Sequence, residues 1–121
     1  MLLVKITVKM ELCLPLHLMP NKARQEHAHS HSTVISPDNK YLFTADLGTD
    51  KEMSYKLDTS NHLTPLSKAT IPFYKAVAGS GPRHLVFSNS GKFAYLIQEL
   101  TATIITFSYA NGKLSPIQTN Y

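Results

Sequence analysis

The chain repeats itself. Residues 36–66 read SPDNKYLFTADLGTDKEMSYKLDTSNHLTPL, and residues 88–117 read SNSGKFAYLIQELTATIITFSYANGKLSPI. Self-similarity at a period of about 50 residues marks an array in which one unit cannot bury its apolar face alone, so stacked units make the core. Each copy opens with a turn, Ser36-Pro37-Asp38-Asn39 or Ser88-Asn89-Ser90-Gly91. Their Pro, Asp, Asn and Gly residues supply the preset or positive φ values of tight turns. Lys40 or Lys92 follows, then an apolar, aromatic-rich strand over residues 41–45 or 93–97. An acidic-Leu pair comes next, with Asp46-Leu47 matched to Glu99-Leu100, and then a further strand over residues 53–57 or 104–109. The trios Leu63-Thr64-Pro65 and Leu114-Ser115-Pro116 close the copies, and short strands at 34–35 and 85–87 lead into them. No segment sustains the 3.6-residue period of an amphipathic helix.

The sequence therefore reads as all-β. Short strands, closely spaced turns and a long repeated unit describe β-propeller blades of four antiparallel strands. A β-sandwich has similar strand spacing, but the internal repeat favours the propeller. About two blades plus a leading strand are expected. A propeller closes its ring with four or more blades, so the chain is expected to be a fragment. Uncovered sheet faces and edges would then favour self-association.

Composition narrows the partners. A hydrophobic content of 43% with 17% charged residues is that of a globular chain. Twelve Lys and Arg against eight Asp and Glu give a net charge of +4. These charges are scattered, with no basic run interleaved with aromatics, so nucleic acid is not an expected partner. A modest basic excess suits an anionic small molecule. The single cysteine, Cys13, excludes an intramolecular disulfide and fits a reducing, cytoplasmic setting. The first twenty residues, MLLVKITVKMELCLPLHLMP, are apolar, but Lys5, Lys9 and Glu11 interrupt them. That pattern opposes a membrane span and a signal peptide, whereas alternation over residues 3–9 suits a strand. Residues 1–20 are read as a divergent N-terminal segment, and residues 21–121 as the partial propeller domain.

Three polar clusters carry candidate chemistry. His27, His29 and His31 alternate, so on an extended strand they share one face. Three imidazoles on one face form a possible zinc site with an open position. An imidazole also titrates near neutral pH and can take a proton from water. Gly79-Ser80-Gly81-Pro82-Arg83-His84 is a loop by composition. Its glycines let backbone approach a ligand, and Arg83 offers a planar fork of donors for phosphate or carboxylate. Glu99 ends an apolar strand, where an unpaired carboxylate is costly, so it must be solvated, paired or functional. Pairing with Arg83 would keep it ionised, and burial would raise its pKa.

The stretches RQEHAHSHSTVISPDNKYLFTADLGTD and GSGPRHLVFSNSGKFAYLIQEL resemble the lactonase family of seven-bladed β-propellers. That family contains propeller-type 6-phosphogluconolactonases and is related to carboxymuconate-lactonizing enzymes. The resemblance runs from about Pro20 to the C-terminus. Departures are Ala28 where the family has Pro, Gln98 where Asn is common, and Ser88-Asn89 where His-Pro is common. The resemblance implies hydrolysis of an anionic sugar δ-lactone to the aldonic acid, with no cofactor and no required metal. It places His31, Arg83 and Glu99 as catalytic residues, and His29, Arg83 and His84 as substrate contacts. Adjacent side chains of an extended segment point opposite ways, which favours a structural part for His84. Asp46 is read as a blade-stabilising residue. A carboxymuconate cyclase and a non-catalytic binding module are the competing readings.

Overall fold

The computed structural model describes residues 20–121. The expected strand near the N-terminus and Cys13 lie outside these residues. Eight strands form two four-stranded antiparallel sheets, and among the described residues there is no helix. Blade 1 is β1 (Ser30–Ile35), β2 (Tyr41–Asp46), β3 (Lys51–Leu57) and β4 (Leu66–Lys75), in that spatial order. Blade 2 is β5 (Pro82–Phe87), β6 (Phe93–Gln98), β7 (Thr103–Ala110) and β8 (Lys113–Asn120), ordered likewise. These are the blades that the repeat predicts.

The two copies superpose by number. Adding 52 to a residue of β1–β3 gives its counterpart in β5–β7, so the pair Ser30 and Asp46 becomes Pro82 and Gln98. Likewise the pair Asp46 and Lys51 becomes Gln98 and Thr103. Even the unusual backbone is shared: Asn39 (φ 58°) corresponds to Gly91 (φ 70°), and Asp50 (φ 56°) to Ala102 (φ 53°). This corrects one equivalence read from the sequence. The structural counterpart of Asp46 is Gln98, and that of Glu99 is Leu47. Acid-Leu similarity had matched the copies one residue out of step, and in a strand a one-residue slip exchanges the two faces.

Sequence patterning also misplaced the closures. Leu63-Thr64-Pro65 sits in the loop before β4, whereas Leu114-Ser115-Pro116 lies inside β8. Pro116 is tolerated there because β8 is an edge strand and needs no donor on its open side.

The core lies between the blades. Phe43 and Ala45 from β2 meet Leu85, Ala94, Leu96, Ile105 and Phe107 from β5–β7. Aromatic rings interlock across this seam: Phe43 with Phe87 at 5.8 Å, Phe43 with Tyr109 at 5.9 Å, and Tyr74 with Phe107 at 4.8 Å between centroids. Aromatic pairs at these separations add about 0.5–1.5 kcal/mol beyond the area they bury. Strand alternation sends the remaining side chains of blade 2 to its far face, where Val86, Tyr95, Ile97 and Ile104 stay exposed. Packing β5 against β1 and β2 sets the two first strands side by side.

Candidate functional site

Bulges give the site its shape. The β1–β2 register shifts between Ser30 and Ser32, leaving His31 as the extra residue. The β5–β6 register shifts between Pro82 and His84, leaving Arg83 as the extra residue. By the repeat offset these are the same position of the two blades. A bulge re-aims the side chain it carries, and here it does so twice at neighbouring strand ends.

Two buried aspartates of the β2–β3 turn hold the loops that lead into these bulges. Asp46 Oδ1 accepts from the backbone N–H groups of His29 (2.8 Å) and Gly48 (3.0 Å), and Thr49 donates its hydroxyl to Oδ2. Gly48 has no room for a side chain: a Cβ there would stand 1.6 Å from the His27 carbonyl oxygen. Asp50 reaches forward into the next unit, its carboxylate accepting from Gly79 N–H (2.7 Å) and Gly81 N–H (2.9 Å). Glu99 N–H then donates to Gly81 C=O (2.8 Å), and Leu100 N–H to Ser80 C=O (3.0 Å). Arg83 and Glu99 are thereby fixed by one set of backbone bonds.

The charged centre is Glu99 between two arginines. Arg83 Nε donates to Glu99 Oε2 at 3.1 Å, and Arg24 Nη2 pairs with Glu99 Oε1. The Arg24 hydrogen bond, then the charges of Arg24, Arg83 and His31, hold the Glu99 carboxyl below its ordinary range and outweigh its partial burial. Glu99 is thus a paired carboxylate. Arg24 went unremarked in the sequence, although it opens the first quoted motif. Its partner is 75 residues away, and no local pattern signals such a contact. The turn that carries it is tied down by Gln25, which is fully buried and donates to Leu47 C=O at 3.1 Å.

The structure gathers some of the expected residues and separates others. A shallow cleft of about 110 Å³ joins Arg24, Glu26, His29 and His31, over a floor that includes Leu47. His29 Nε2 lies 3.0 Å from Glu26 Oε1. The three histidines do not share a strand face, because β1 begins only at Ser30 and the bulge turns His31. His27 and His29 are 6.2 Å apart between ring centroids, and among the described residues no group of His, Cys, Asp or Glu is arranged to hold a metal ion. His84 stands apart from the cluster. Its register partner is Ile97 on the exposed far face of blade 2, while its neighbour Leu85 points into the core. Backbone alternation past the bulge decides this placement.

Among the described residues no helix is long and apolar enough to cross a membrane. Comparison with known proteins agrees with the fold. A crystal structure of a Bacteroides fragilis protein, assigned as a 6-phosphogluconolactonase, is 45% identical with a TM-score of 0.80, over 84% of this chain and 30% of that one. The periplasmic gluconolactonase PpgL of Pseudomonas aeruginosa is 45% identical with a TM-score of 0.76, over 78% of this chain and 26% of its own. An uncharacterized protein of Staphylococcus aureus strain USA300 is 35% identical over 98 residues, which are 78% of this chain and 26% of that protein. The chain thus spans between a quarter and a third of the length of these relatives. A family model described as "Lactonase, 7-bladed beta-propeller" matches residues 10–120. With both blades, their register and this match in agreement, the chain belongs to the seven-bladed β-propeller lactonase family.

Proposed function

We propose that this chain carries part of the active site of a lactonase that opens a sugar δ-lactone to its aldonic acid, in the manner of a 6-phosphogluconolactonase. The observation that carries the reading is the placement of Glu99 between Arg24 and Arg83, with His31 close enough for its charge to act on the same carboxylate. His31 is the proposed base. It takes a proton from water as the water oxygen attacks the lactone carbonyl, and returns it to the ring oxygen as that oxygen leaves. Arg83 offers N–H donors to the oxyanion that forms at the carbonyl. Of the two parts open to Glu99, orienting or relaying a proton, its depressed pKa and double pairing support the first: it orients the guanidiniums. His29, held through Asp46 and Glu26, frames the substrate cleft. A contact from His84 has no support in its position. A cytoplasmic setting remains part of the proposal and rests on the lone cysteine, beside a relative named as periplasmic.

The test is turnover of glucono- and 6-phosphoglucono-δ-lactone above their spontaneous hydrolysis. His31→Ala is expected to lower kcat by about a hundredfold or more, the usual worth of a general base. Full activity in that variant would remove His31 as the base. Turnover of carboxymuconate alone would favour the cyclase, and no turnover of any lactone would favour a binding module.

A further inference from the structure

Among the described residues one ionisable side chain is buried with no hydrogen-bond partner for any of its polar atoms. It is Glu52, 1% exposed, with both carboxylate oxygens unsatisfied. Such a group is costly, and the blade does not need it: the same position of blade 2 is Ile104. Pairing of Glu52 with Ala45 and with Tyr74 puts its side chain on the face of blade 1 that meets blade 2. That seam is not filled around it. A hollow of about 170 Å³ opens there, with Glu52, Phe43, Tyr74 and Leu114 among its walls. A second hollow of about 350 Å³, lined in part by Tyr41, shares Ile71 and Gly112 with the first. Ile71 is 44% exposed, so the two form an open passage between β4 and the β7–β8 turn, with Glu52 in its inner part. Arg24, His31, Arg83 and Glu99 line neither hollow.

Charge decides what fits. The one charge that bears on Glu52 is the like charge of Asp46, and Asp46 is held by N–H and hydroxyl donors alone. Among the described residues neither acid has a cationic partner. Lys75 and Lys113 line the hollows from exposed positions, where water and salt screen them. An ammonium group would supply the missing positive charge, its three N–H donors would reach both carboxylate oxygens, and Phe43 and Tyr74 offer aromatic rings suited to a cation. We propose that the passage between the blades binds a small organic primary amine, with Glu52 receiving the ammonium group in the inner hollow and the apolar body lying in the outer one against Tyr41 and Ile71. In the free protein, burial and Asp46 favour the protonated Glu52 carboxyl; it gives that proton to solvent as the ammonium seats. The site uses none of the groups assigned to lactone opening.

The test is titration of the full 121-residue chain with 2-phenylethylammonium and with its neutral analogue 2-phenylethanol, following amide resonances by NMR. The ammonium is expected to bind about tenfold or more tightly than the alcohol, the worth of a charge-assisted hydrogen bond, with shifts centred on Ile71 and Gly112. Glu52→Gln removes the charge at nearly constant volume and should fold no worse than wild type, since it buries a neutral group. It should weaken the ammonium by about tenfold or more and the alcohol by less than about threefold. Ile71→Trp, at an exposed position, fills the junction of the hollows and should weaken both ligands. Equal affinity for the two ligands, unchanged ammonium affinity in Glu52→Gln or in Ile71→Trp, shifts centred on Glu26 or Glu99, or no binding by the wild-type chain would each overturn the site.

Discussion

Asp50 couples the blades, and replacing it should cost more than its distance from the charged centre suggests. Its carboxylate is fully buried and accepts two backbone N–H groups, from Gly79 and Gly81, on the loop that delivers Arg83. Each charge-assisted bond contributes about 1.5–3 kcal/mol. Gly81 is buried, so its N–H would find no water in exchange, whereas Gly79 is half-buried and recovers part of the loss. Losing a buried carboxylate also relieves some desolvation, so Asp50→Ala should destabilise by about 3–5 kcal/mol. The backbone adds a second handle. Asp50 holds φ 56°, where alanine is disfavoured by about 1 kcal/mol relative to glycine. Asp50→Gly should therefore be milder than Asp50→Ala by about that amount, and Asp50→Asn, which keeps one acceptor oxygen, milder than both. Urea unfolding followed by circular dichroism measures the series. At a slope of about 1–3 kcal/mol per molar, the alanine midpoint should fall by about 2 M or leave the chain unfolded in buffer. An alanine variant within about 1 kcal/mol of wild type, or a glycine variant no better than alanine, would refute the reasoning.

Two further outcomes follow from side chains whose surroundings do not suit them. Glu52 is buried in the seam with both carboxylate oxygens unpartnered, and burial first, then the charge of Asp46, pushes its pKa well above the ordinary 4.5. The unfolded chain releases that proton near its ordinary value while the folded chain keeps it. The fold therefore weakens as pH rises above that value, and Glu52→Gln should gain on wild type by about 1–3 kcal/mol at pH 8 and by little at pH 4; equal gains at both, read from melting curves, would show that ionisation is not the cause. The far face of blade 2 should drive self-association through Tyr95, Ile97 and Ile104. Ile97→Lys with Ile104→Lys should lower the mass measured by sedimentation, and an unchanged mass would place the contact elsewhere.

Much of this architecture was legible because turns and strand alternation are local properties. Ser36-Pro37-Asp38-Asn39 and Ser88-Asn89-Ser90-Gly91 announce hairpins by their own chemistry, and both precede the strands expected of them. The fourth strand was harder: β4 contains Pro72, shifts register across β3 and has mixed polarity, so neither alternation nor turn spacing reveals it. Register was harder still. Asp46 looks like Glu99 because each is an acid before leucine, yet bulges and cross-strand pairing decide which residue stands where. The site divides in the same way. The grouping of Arg83 with Glu99 was legible as a fork opposite a carboxylate, whereas Arg24 joins them only through tertiary folding, and His84 leaves them through one step of strand alternation.

Ala102 repeats the left-handed turn of Asp50 without its carboxylate. The contour of the turn and the grip mounted on it are therefore separable. Stacking of the sheets leaves some freedom in how far one unit leads the next, and a side chain from the preceding turn removes it. Among the described residues the setting is made by Asp50 on the Gly79–Gly81 segment. The spacing of His31 and Arg83 thus behaves as an adjustable dimension set by two carboxylates, Asp46 behind the first and Asp50 behind the second. An aspartate introduced at Ala102 would give blade 2 the same adjuster, on a backbone already shaped to carry it.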